Sequence, residues 1–86
     1  MPIELTKRFV NQYEQLPKTI QHKADKALFL LDESFRHPGL RSHPIEGNPV
    51  IFEAYVDIRY RMTYVRRGNA IIMRNVDNHD ECLKNP

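Results

Sequence analysis

The 86-residue chain has a single cysteine, Cys82. A lone thiol cannot form an internal disulfide, which excludes a disulfide-stapled miniprotein and agrees with a reducing compartment. Nor does any apolar run approach the roughly 18–20 residues that a membrane-spanning helix requires. The opening residues, MPIELTKRF, lack the charged and then apolar layout of a secretion signal. The expected address is therefore the cytoplasm, with no membrane partner. Internal repeats, low-complexity tracts and linkers are missing as well. At this length one hydrophobic core is the limit, so a single domain over residues 1–86 is expected. Lysine is absent from residues 34–76, where every Lys/Arg position is arginine.

What is present is an ordinary globular composition, 41% hydrophobic and 28% charged. The net charge of +2 conceals an uneven distribution. Residues 1–33 carry five basic and five acidic side chains, whereas residues 34–76 carry seven arginines against three acids. The arginines are Arg36, Arg41, Arg59, Arg61, Arg66, Arg67 and Arg74. Arginine presents a planar donor fork suited to phosphate, so the sorting points to a phosphate-bearing partner. The plainer alternative is a solvated arginine-rich strand face.

Two helices are expected first. Leu5, Phe9, Tyr13 and Leu16 recur at helical spacing behind Thr6, a suitable N-cap, which predicts a helix over Thr6 to Leu16. Pro17 opens a second helix, whose stripe of Ile20, Ala24, Ala27, Leu28, Leu31 and Phe35 runs until His37-Pro38-Gly39 stops it. Pro2 to Leu5 is a candidate edge strand.

From Ser42 the period changes to two. Phe52, Ala54 and Val56 alternate with Glu53, Tyr55 and Asp57. Tyr60, Met62 and Tyr64 then alternate with Arg59, Arg61 and Thr63, as half-buried antiparallel strands do. Arg66 to Asn69 forms a turn, and Ala70 to Val76 an apolar strand interrupted by Arg74. The expected fold is α+β, with two N-terminal helices packed on one face of a small, mainly antiparallel, twisted sheet in the order β-α-α-β-β-β-β. Alternation puts Arg59 and Arg61 on one side of their strand, which is assigned to the face left open by the helices, and sends Tyr60 and Tyr64 to the core.

Five segments, in this order, carry a resemblance to a known family. They are FVNQYEQLP from Phe9 to Pro17, His37-Pro38-Gly39-Leu40-Arg41, His43-Pro44-Ile45-Glu46-Gly47, Tyr60-Arg61-Met62-Thr63-Tyr64 and Val76-Asp77-Asn78-His79-Asp80. Over nearly its whole length the chain resembles the RelE/ParE superfamily of type II toxin–antitoxin toxins. The resemblance implies a cognate antitoxin as partner. For the RelE branch it implies cleavage of messenger RNA in the ribosomal A site; for the ParE branch it implies inhibition of DNA gyrase. A non-nucleolytic relative that only binds its antitoxin is the third possibility.

Chemistry favours the RelE branch. Cleavage by the substrate's own 2′-hydroxyl requires a base, an acid and cations for the charge developing on phosphorus, and no cofactor. By position, His43 resembles the base, His79 the general acid and Arg61 the arginine that holds the scissile phosphate. Histidine suits both proton-transfer roles because its ordinary pKa of about 6.5 populates both forms near neutrality. Arg41, Arg59, Arg74 and Asp80 form the expected RNA-binding set, the three arginines as supporting cations and Asp80, next to His79, also able to hold its ring. Two departures stand out: the lysines that some members place near the base are absent, with Arg41 the nearest substitute, and no long C-terminal helix follows His79.

Each residue also has a structural alternative. His43 can be a loop residue set by Pro44, His79 a surface histidine, and Arg61 a strand charge paired with Glu53 or Asp57. His22 and His37 are expected at the surface and a helix end, and Cys82 as a partly buried thiol. No spacing among His37, His43, His79 and Cys82 matches a zinc site, and Lys23 and Lys26 are offset by acids along a helix whose spacing marks it as core, against a helix-turn-helix.

Overall fold

The computed structural model describes residues 2–86. The elements run β1 (Ile3–Leu5), α1 (Lys7–Gln15), α2 (Lys18–Glu33), a 3-10 turn (Pro38–Leu40), β2 (His43–Ile45), β3 (Asn48–Tyr55), β4 (Tyr60–Arg67), β5 (Ala70–Asn78) and α3 (His79–Lys84). Thr6 caps α1, its hydroxyl accepting from the Phe9 amide and donating to the Met73 carbonyl at 2.8 Å, which ties the helix to the sheet. Pro17 stands at the N-cap of α2, one residue earlier than expected. That helix stops at Glu33 rather than reaching His37, and Phe35 packs on the core from beyond its end. Arg41 adopts a left-handed conformation, φ 47°, and so turns the chain from the 3-10 segment into β2.

The five strands lie in the order β1-β5-β4-β3-β2. The β1–β5 pair is parallel, and the other three pairs are antiparallel. This is the expected α+β arrangement, and β1 is the edge strand that the N-terminal alternation suggested. One face of the sheet presents Ala54, Met62, Tyr64, Ile71, Met73 and Val76 to Phe9 and Leu16 of the first helical segment and to Ile20, Ala24, Ala27 and Leu31 of α2. Tyr60 packs against the edge of that core. The change from odd to even core positions along β5 follows from a bulge. Thr63 pairs with Asn75 and Tyr64 with Met73, so Arg74 is the extra residue, and the alternation shifts by one there.

The second face differs from expectation. It was to be open, yet Glu53, Arg61, Thr63 and Asn75 on it are all buried. The cause is α3 and the residues after it, which fold back across the sheet. The Asn75 amide donates to the Cys82 carbonyl at 2.9 Å, and the Thr63 hydroxyl donates to the Pro86 carbonyl at 2.7 Å. Cys82 is wholly buried rather than partly, with Sγ 3.6 Å from the Arg61 carbonyl. Burial, with the Glu53 and Asp77 charges adding to it, pushes its thiol up to about 12. Among the described residues no helix is long and apolar enough to cross a membrane.

A candidate nucleic-acid cleavage site

Register builds the site. His43 on β2 is the cross-strand partner of Glu53 on β3, which in turn faces Thr63 on β4. One row along, Tyr55 faces Arg61, and Arg61 faces Asp77 on β5. Because β5 runs directly into α3, His79 is delivered to the same face. Its backbone amide donates to the Arg59 carbonyl at 2.7 Å, which pins the helix start to the β3–β4 turn. Asn78 caps the helix by accepting from the Glu81 amide.

The fold therefore brings the two histidines together. A cleft of about 340 Å³ is lined by His43, Ile45, Glu46, Glu53, His79 and Leu83. A second, wider cleft of about 760 Å³ is lined by Ile58, Arg59, Arg61, Asn78, His79, Asp80 and Glu81. His79 belongs to both, with its side chain half-exposed and Nδ1 3.3 Å from the Asp80 carboxylate. Asp80 itself is almost fully exposed. The His43 ring is bracketed more closely, with Nδ1 2.8 Å from the Arg41 carbonyl and Nε2 3.3 Å from Glu53 Oε1.

Arg61 is placed where the pattern expected, on the face away from α1 and α2, but its side chain is only 7% exposed. Its Nη1 donates to the carbonyls of Asp57, Ile58 and Tyr60 at 2.6, 2.8 and 3.2 Å, clamping the β3–β4 turn. The guanidinium also stacks 3.6 Å from the centre of the Tyr55 ring. Its Nε is 4.0 Å from Glu53 and is buried without a hydrogen-bond partner among the described residues. Arg61 thus has a structural occupation whatever else it does, close to the alternative in which it pairs with Glu53. Arg59 does not share a strand face with it, because β4 begins at Tyr60 and Arg59 lies exposed in the turn.

The turn is set by Asp57. Its Oδ1 accepts from the amides of Arg59 and Tyr60, both at 2.8 Å, and Lys23 reaches its other oxygen at 3.3 Å. Burial alone would push this carboxyl up; the two amides and Lys23 outweigh it and hold the group below the ordinary aspartate value.

Arg41 lies 5.5 Å from the centre of the same Tyr55 ring and contributes its carbonyl to His43. Arg74 does not join the site. It lines a small depression with Thr6 and Arg8, and its Nε donates to the Pro86 carbonyl at 3.2 Å. Glu53, expected only as a mate for Arg61, is also the cross-strand partner of His43. The signal for more was present, since a lone acid alternating with Phe52 and Ala54 must sit on the arginine-bearing face.

No family model matches the chain, and no curated protein matches it either. Solved structures do match. YafQ from E. coli strain BL21(DE3) superposes with a TM-score of 0.76 at 14% identity, covering 92% of this chain and 93% of that one. The RelB–RelE antitoxin–toxin complex from Methanococcus jannaschii gives 0.73 at 18% identity, covering 94% and 95%. A YoeB/ParE toxin from Agrobacterium tumefaciens gives 0.69 at 17%, covering 92% and 99%. The chain has the fold of the RelE/ParE-like toxins.

Proposed function

We propose that this chain is the toxin of a type II toxin–antitoxin pair, a single cytoplasmic domain that cuts messenger RNA on the ribosome without a metal ion or other cofactor. The observation that carries this reading is the convergence of His43 and His79 on one cleft beside the arginine-bearing turn. In the proposed reaction His43 takes the proton of the 2′-hydroxyl. The freed oxygen attacks the neighbouring phosphorus, a new P–O bond forms, and the bond to the 5′-oxygen breaks. His79 protonates that leaving oxygen, so the products are a 2′,3′-cyclic phosphate and a 5′-hydroxyl.

The cations divide the remaining work. Arg59, exposed at the rim of the wider cleft, is the one placed to grip a phosphate directly. Arg61 acts from the floor, holding the turn and adding positive potential where charge develops. Arg41 is a supporting cation at the Tyr55 ring, and Asp80 steadies the His79 ring. Arg74 is left outside the reaction. An antitoxin as partner is supported by the fold, which is shared with the toxins of the DinJ–YafQ and RelB–RelE complexes.

The test is inducible expression of wild type, His43→Ala and His79→Ala, followed by growth assays and primer extension on a translated message. Wild type is expected to arrest growth and to cut within codons of translated message only. Each alanine variant should lose about 100-fold or more of that cutting. Growth arrest without cuts would overturn the nuclease reading in favour of gyrase inhibition, and full cutting by His79→Ala would remove His79 from the chemistry.

A further inference from the structure

Ile58 is 81% exposed, more than any other large apolar side chain among the described residues. A lone aliphatic group on a surface is ordinary; what distinguishes this one is its support and its position. The turn beneath it is held at several points. The Asp57 carboxylate accepts from the Arg59 and Tyr60 amides, and the Val56 and Asp57 amides donate to the Tyr60 carbonyl at 3.1 and 3.2 Å. The buried Arg61 guanidinium holds the Ile58 carbonyl itself at 2.8 Å. A β-branched side chain on a fixed backbone keeps little rotamer freedom. The protein thus holds an apolar surface out from the sheet in nearly one orientation, with its ordering complete before anything binds.

Its position follows from the chemistry proposed for the histidines. His43, the base, acts on the 2′-hydroxyl of the nucleotide on the 5′ side of the cut. His79, the acid, acts on the 5′-oxygen of the nucleotide on the 3′ side. The narrower cleft is lined by both histidines, whereas the wider one is lined by His79 without His43. The downstream nucleotide therefore belongs in the wider cleft, whose volume of about 760 Å³ suits a ligand of that size. A nucleotide asks for a cation at its phosphate and a covering for the flat face of its base. Arg59 supplies the first, and Ile58, beside it in the same turn, is the one apolar side chain lining that cleft among the described residues.

We propose that Ile58 is a substrate-contacting residue, its side chain packing against the face of the base on the 3′ side of the cut while Arg59 takes a phosphate of the same strand. The inference rests on the cleavage reading and deepens it by assigning the wider cleft to the downstream nucleotide. An alkyl side chain has neither donors nor acceptors for base edges, so Ile58 adds affinity for any base without reading its identity.

The experiment is a cycle between one side chain and one base. Ribosomes are programmed with a message that has either an ordinary nucleotide or an abasic ribonucleotide immediately 3′ of the cut. Cutting by purified wild type and Ile58→Ala is measured over a range of ribosome concentrations. On the ordinary message the variant is expected to show a KM about tenfold higher, because three carbons that the base covers on one side are gone. Its kcat should stay within about twofold, since the contact is the same before and during the reaction. On the abasic message the two proteins should be equal. The variant should also keep the urea midpoint of wild type, the side chain being exposed in the free protein. A wild-type KM for the variant on the ordinary message overturns the inference and leaves the cleavage reading standing. A tenfold deficit that persists on the abasic message also overturns it, since Ile58 would then touch some other part of the ribosome or message. So does a deficit accompanied by a lower urea midpoint, which would make the role of Ile58 structural. Wild type that leaves the ordinary message intact overturns both the cleavage reading and this inference.

Discussion

Replacing Arg61 with methionine keeps the length and apolar stem of the side chain and removes the guanidinium. Nη1 has two hydrogens to share among carbonyls at 2.6, 2.8 and 3.2 Å, so two strong bonds are lost. Hydrogen bonds from a charged donor are each worth about 1.5–3 kcal/mol. The stack on Tyr55 goes as well, a further contribution of about 1 kcal/mol. Glu53, 4.0 Å from Nε and not hydrogen-bonded to it, loses a nearby positive charge as well. These effects overlap, so a total of about 3–5 kcal/mol is expected rather than their sum. A chain of this length has about 4–13 kcal/mol of stability in all. Urea unfolding followed by circular dichroism should show the midpoint falling by about 2 M or more at an ordinary slope. A loss below about 1 kcal/mol would mean that the clamp is dispensable to the fold and would return Arg61 to the role of a ligand for phosphate. The distinction governs how activity data are interpreted, because an inactive Arg61 variant is also a weakened fold.

Two further outcomes follow from the roof over the sheet and from the turn. Cys82, buried beneath α3 with its thiol pushed up to about 12, should react with a thiol reagent at pH 8 at least about 100-fold more slowly in the native protein than in urea. Labelling at the rate of a free cysteine would mean that α3 spends much of its time undocked, carrying His79 away from His43. Asp57 has a folded-state value below its ordinary 3.8, so its stabilising effect is complete above that pH and is lost as pH falls through the lower folded value. Wild type should therefore exceed Asp57→Asn in melting temperature at neutral pH, with the gap closing below about pH 4. A gap that stays constant down to pH 2 would show that the charge contributes nothing and that the turn relies on the side-chain oxygen alone.

Much of the fold was legible because its two periods are distinct. The 3.6-residue stripe from Ile20 to Leu31 and the two-residue alternation through Phe52 and Met62 each bury one face, and the chain has few residues that blur them. The interruption at Arg74 was visible too, although only pairing reveals it as a bulge that moves the core positions from Met73 to Val76.

What could not be seen was the second face. Six residues of α3 carry no periodic signal, and their docking depends on Asn75 and Thr63 meeting carbonyls of residues that follow in sequence. That docking buries Arg61 and converts an expected phosphate ligand into a clamp on the turn. The pairing of His43 with Glu53 was likewise hidden, because it depends on the β2–β3 register rather than on any local pattern. His43 and His79 were named from resemblance; their common cleft comes from strand order, which places β2 at one edge and lets β5 feed α3 across the face.

Cleavage by the substrate's own hydroxyl in the His43–His79 cleft is tested with purified protein and ribosomes programmed with two messages. One has ribose throughout; the other has a single 2′-deoxy nucleotide at the scissile position. The first is expected to be cut to a 2′,3′-cyclic phosphate and a 5′-hydroxyl, and the second to stay whole at that position. Cutting of the deoxy message there, or fragments bearing a 5′-phosphate, would contradict it.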